Sequence, residues 1–103
     1  MVDLVVDYED IHLGYPRPHY KGTMKYHDRQ IWATLFHIET SPFYATRVTV
    51  VYERMFNQSI RSCTVGLVLK KFVNWGYLKR VKKGKVFTYV FLDPFEALRE
   101  ELN

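Results

Sequence analysis

A chain of 103 residues that is 48% hydrophobic and 17% aromatic can bury one core of modest size, which excludes both a disordered polymer and two independent domains. Its net charge of +4 is unevenly spread: residues 1–15 hold Asp3, Asp7, Glu9 and Asp10 and no Lys or Arg, whereas residues 57–92 hold eight cations and no acid. The single cysteine, Cys63, excludes an intramolecular disulfide, and the absence of a basic leader or a long apolar run points to a soluble, intracellular protein with no membrane partner.

In chain order, residues 1–25 read as an acidic, tyrosine-rich arm. LVVDY suits a strand, and GYPRPHYKG, with two prolines and two tyrosines, suits an extended segment. Tyr8, Tyr15, Tyr20 and Tyr26 offer the area to clasp a second subunit. The acids of the arm suit a solvated segment, or one folded back on basic residues as a mimic of phosphate.

From Asp28 to Thr40 the apolar residues Ile31, Leu35 and Ile38, widened by Trp32 and Phe36, predict a helix with Asp28 as its cap and Ser41-Pro42 as its stop. The next run, TRVTVVYERMF, has the composition of a strand in its valines and threonines. Val48, Val51, Tyr52 and Met55 nevertheless fall at i, i+3, i+4 and i+7, and the segment is read as a second helix. After the turn Asn57-Gln58-Ser59, a third helix is predicted from Ile60 to Trp75, with Val65, Val68, Leu69 and Phe72 on its core side and Gly76 as a left-handed stop.

Tyr77 to Val81 and Val86 to Leu92 are β-prone runs joined by KKGK, the pattern of a hairpin with glycine at its tip. The last segment, DPFEALREELN, predicts a short helix capped by Asp93, with Pro94 at its first position and Phe95, Leu98 and Leu102 on one edge. That helix is too short to stand alone and must dock on the domain itself or on a second subunit. The organisation is therefore an arm (1–25), a domain (26–92) and a C-terminal helix (93–103).

Three helices followed by a hairpin, in an α+β chain, is the order of a winged helix. The stretch TVGLVLKKFVNWGYLKRVKKGKVFTY, Thr64 to Tyr89, resembles the third-helix-and-wing segment of penicillinase-repressor and MarR-type transcriptional regulators. It has a Thr-Val start, Leu and Phe at core spacing, a Gly-Tyr-Leu helix end, then basic residues, glycine and an aromatic return strand. The resemblance spans about 65 residues, Asp28 to Leu92, and implies a sequence-specific double-stranded DNA-binding protein in which helix three reads the major groove. It places Arg61, Ser62 and Thr64 at the groove, with Leu67 and Lys71 farther along the same side. Arg61 suits a bidentate contact to guanine. On the wing Lys82, Lys83 and Lys85 would hold phosphates, and Arg80 would do so or enter a minor groove. Arg47 and Lys70 are lesser backbone contacts. A cytoplasmic, nucleoid-associated regulator of transcription, homodimeric through its N- and C-terminal segments, is the expected whole.

The acid-free run from 57 to 92 independently suits a polyanion, since a carboxylate there would oppose phosphate binding. The competing expectation is a winged helix serving as a protein-interaction module in a replication or transcription assembly, which an exposed Leu67 would favour. His12, His19, His27 and His37 lack the short spacing of a metal site, so no metal or cofactor is expected. No phosphate loop, nucleophile elbow or framed carboxylate pair suggests an enzyme. Cys63 is read as a small residue near a packed helix, with a redox role as the alternative.

Overall fold

In the computed structural model, residues 14–19 and 24–102 are described, and they build an α+β domain. Residues 1–13, including LVVDY, Tyr8, His12 and the four acids, lie outside the described residues, as does Tyr20. The elements are α1 (Tyr26–Leu35), β1 (Phe43–Tyr44), α2 (Ala45–Phe56), α3 (Ser62–Asn74), β2 (Leu78–Lys83), β3 (Val86–Phe91) and α4 (Asp93–Glu101). The three strands form one antiparallel sheet in the order β1-β3-β2. This layout is compatible with a winged helix.

α1 begins and ends earlier than its periodicity predicts. Lys25, not Asp28, is the N-cap; Asp28 stands at N3 and its carboxylate accepts the Lys25 backbone N–H at 2.8 Å. Beyond Leu35 the backbone N–H groups of Phe36, His37 and Ile38 donate to the carbonyls of Ala33, Thr34 and Leu35, three residues back. This tightening carries Ile38 into the core by a route other than the predicted helix. The Ser41-Pro42 peptide bond is cis, and β1, which the sequence reading did not anticipate, follows at once.

α2 is helical despite its β-branched residues. Val48, Val51 and Tyr52 bury the predicted face, and Thr49 Oγ1 returns a hydrogen bond to the Ala45 carbonyl at 3.1 Å. The helix stops at Asn57, in left-handed backbone with φ 51°, whose N–H donates to the Glu53 carbonyl. α3 buries Val65, Val68, Leu69 and Phe72 as its spacing predicts. Its end is a Schellman turn: the Gly76 N–H donates to Val73 and the Tyr77 N–H to Phe72, with Gly76 at φ 88°.

The hairpin register pairs Lys83 with Val86 around a two-residue turn, Gly84-Lys85, whose first residue has φ 62°. α4 has Leu92, not Asp93, as its N-cap, and no side chain caps it. Asp93 and Glu96 still sit in the first turn, where the helix dipole favours acids.

The core centres on Trp32. Its ring meets Phe36, Phe72, Tyr77 and Phe95 edge-on at centroid distances of 5.0–5.7 Å, and its indole N–H donates to the Pro16 carbonyl at 2.8 Å. Burying so large a ring with its one donor satisfied yields both apolar area and a fixed orientation. Residues 14–19 belong to the same unit: Tyr15 stacks on Phe36 at 5.0 Å and bonds His37, and the His19 N–H donates to the Tyr77 hydroxyl. Tyr26, the first residue of α1, accepts a hydrogen bond from Gln30. Tyr15 is therefore packed, half-buried, against the chain's own core.

α4 is likewise spent on its own domain. Phe95 is fully buried against Trp32, Phe36 and Phe91, and the Arg99 guanidinium donates to the Leu35 carbonyl while lying 4.3 Å from the Phe91 ring centre. Of the predicted edge, Leu102 remains exposed.

Candidate nucleic-acid interface

The start of α3 presents polar side chains because the helix turns its apolar stripe inward. Arg61 is the N-cap residue, in extended backbone at φ −75° and ψ 140°, and Arg61, Ser62 and Cys63 are exposed, with Thr64 half-buried. Cys63 is thus a surface thiol and does not pack. Leu67 is 70% exposed, an unusual degree for leucine.

Thr64, Leu67 and Lys71 follow one another along one side of α3 and, with Lys25, His27, Asp28 and Val68, line a groove of about 300 Å³. Within it Lys71 is already paired. Its Nζ lies 2.6 Å from Asp28 Oδ2, and the Asp28 side chain is only 4% exposed. A carboxylate so buried needs its cation. Lys71 thus lies along the expected side of α3 as a cation that already has a partner within the chain.

The Schellman turn leads α3 straight into β2, so helix and hairpin are joined by a short ordered turn. Strand alternation then divides the hairpin cations between two faces. Arg80 and Lys82 stand opposite Tyr89 and Phe87, on the face that deeper in the sheet is buried through Leu78 and Phe91. Lys79 and Lys83 stand opposite Val90 and Val86 on the other face, and Lys85 is in the turn. The Arg80 guanidinium lies 4.3 Å from the Phe87 ring centre.

Sequence reading passed over two exposed aromatics here. Tyr44 and Phe87 are 48% and 39% exposed and, with Ala45, Thr46, Val86 and Tyr89, line a second groove of about 270 Å³. The available signal was the phase of VFTYVF: Phe87 shares a face with Tyr89 and Phe91 but lies beyond the reach of the core.

Among the described residues, Arg47, Arg61, Lys70, Lys79, Arg80, Lys82, Lys83 and Lys85 are all exposed and form no ion pair. No protein-family model matches the chain, and no curated protein matches it.

A partly buried polar chain with a structural role links α1 to α2. The Tyr52 hydroxyl donates to Gln30 Oε1 and pairs with His27 Nδ1 at 3.3 Å, and Gln30 Nε2 donates to the Tyr26 hydroxyl at 2.8 Å. Burial pushes the Tyr52 phenol above its ordinary pKa, and Tyr26 adds to the rise. His27 and His37 are each bonded to a tyrosine, and among the described residues no three His, Cys, Asp or Glu side chains gather as metal ligands would. Among the same residues no helix is long and apolar enough to cross a membrane.

Proposed function

We propose that this chain is a winged-helix, sequence-specific double-stranded DNA-binding protein that regulates transcription. The start of α3, with Arg61, Ser62 and Thr64, enters the major groove, and the wing cations hold flanking phosphates. The observation that carries this reading is the set of exposed cations Arg47, Arg61, Lys70 and the five of the hairpin, with no acid paired to them among the described residues. Cations arranged in this way are solvated at little cost in the free protein and release counterions from DNA on contact.

Titration of a mixed-sequence duplex of about 30 base pairs at several salt concentrations tests it. Neutralising about six phosphates gives a log–log slope near −5. Absence of binding at low salt refutes the reading. A homodimer on a palindrome belongs to the same proposal, but the α4 edge is already used within the chain, so pairing of copies falls to other surfaces. Sedimentation of the free and duplex-bound protein counts the copies.

Leu67, with 70% of its surface exposed, favours a second reading, a protein-interaction module that buries this side chain against a partner. Leu67→Gln, which removes the apolar side chain without adding a charge, separates the two: it weakens partner binding in the module reading and leaves the salt slope on duplex unchanged.

A further inference from the structure

The groove between β1, the start of α2 and the wing has a composition that phosphate binding alone does not require. Tyr44 and Phe87 line it as exposed aromatics together with the buried Tyr89, Ala45 and Val86 close it with apolar surface, and Thr46 supplies its one aliphatic hydroxyl. Its volume of about 270 Å³ is ample for one flat heterocycle. A phosphate-gripping wing needs only cations, and exposed aromatic surface in water is unfavourable unless something covers it.

The groove's surroundings specify what that is. Arg80 lies over the Phe87 ring and Lys82 is its cross-strand partner; Lys83 pairs with Val86, and Lys85 follows in the turn. Arg47 stands in the first turn of α2, which holds no acid. Aromatic surface neighboured by cations, with no carboxylate in its lining among the described residues, matches a nucleic acid strand with an unstacked base, since the base stacks on the rings while its phosphates meet the cations. An acidic peptide would satisfy the cations but leave the rings unmatched. A base within a duplex is covered on both faces by its neighbours and cannot enter.

We propose that the Tyr44–Phe87 groove stacks an unpaired base of a DNA strand leaving the duplex, so that the protein prefers a duplex with a single-stranded tail over a blunt one. This rests on the duplex-binding reading above and adds a second, adjoining subsite to it. Phosphates of the tail run along Arg80, Lys82 and Lys85, and the ring of Phe87, held by Arg80, forms the stacking surface.

The test compares three probes with the full chain: a blunt duplex, the same duplex with a thymidine tail of about six nucleotides, and one whose tail carries abasic sites. Stacking of one base is expected to tighten binding of the thymidine-tailed probe about tenfold over the blunt one. The abasic tail should give less than half of that gain on a logarithmic scale. Tyr44→Leu, which keeps an apolar side chain at an exposed position, should reduce the gain and leave the blunt-duplex affinity unchanged; Phe87→Leu, which also releases Arg80, should bring the ratio of tailed to blunt affinity to about one. Circular dichroism of each variant confirms that the fold is intact.

If blunt duplex binds and the thymidine tail adds nothing, the groove proposal falls while the duplex reading stands. If the abasic tail gains as much as the thymidine tail, the contact is to phosphate alone and stacking is overturned. If neither the blunt nor the tailed duplex binds, both readings fall.

Discussion

Lys71 and Asp28 join α3 to α1 through a 2.6 Å contact between Nζ and Oδ2, and this pair decides which cation of α3 is unavailable to a partner. Asp28 is nearly buried and also accepts the Lys25 N–H, so it serves both as the first-turn acid of α1 and as the counterion of α3. Lys71→Ala leaves that carboxylate short of a partner and should cost about 1–3 kcal/mol in urea unfolding. The salt slope on duplex DNA should not change in this variant, because a cation held by an internal acid releases no counterion from DNA.

Arg61 and Lys83 differ in what each is placed to read. Arg61→Ala should cost about 1–3 kcal/mol on a preferred site and relax preference there, since a planar fork at the start of α3 suits a base edge. Lys83→Ala should weaken all duplexes alike and flatten the salt slope by about one unit. Electrophoretic titrations on a selected and a scrambled duplex distinguish the two; equal effects on both duplexes would remove the proposed division of labour.

Phe95 ties α4 to Trp32, Phe36 and Phe91. Phe95→Ala should destabilise by about 3–5 kcal/mol, the range for deleting a buried ring. Because these contacts lie within one chain, the loss should be independent of protein concentration in thermal unfolding followed by circular dichroism. A loss that shrinks as concentration rises would mean that α4 also bridges two copies.

Alkaline pH should weaken the fold through Tyr52. Its phenol is fully buried and its pKa raised, first by desolvation and then by Tyr26, above the value of about 10 that it recovers on unfolding. The folded state therefore holds the proton longer than the unfolded one. Its contribution is fully present below pH ~10 and is lost as pH rises from there through the folded pKa. Urea midpoints measured across that window should fall, and Tyr52→Phe should fall less steeply. Tyr15, raised by burial in the same direction, contributes to the slope that remains.

What the sequence determined by itself was whatever short-range periodicity encodes. The helical spacing of Val48, Val51 and Tyr52 outweighed the strand composition of α2, and the core stripe of α3 and the glycines at the helix end and hairpin tip all fell where local chemistry put them. Each depends on neighbours within a few residues, so each is written in the local sequence. The tertiary structure decided the rest. It ended α1 at Leu35, where Ile38 gains more from the core than from another helical turn, and it formed β1 only because β3 offered an edge. It withdrew Lys71 into an ion pair with a residue 43 positions away, and it turned Phe95 and Tyr15 inward onto the chain's own core. It also placed Tyr44 beside Phe87, two aromatics far apart in sequence that only strand pairing brings to one groove. Such choices turn on burial and long-range partners, whose free energies exist only once distant segments meet.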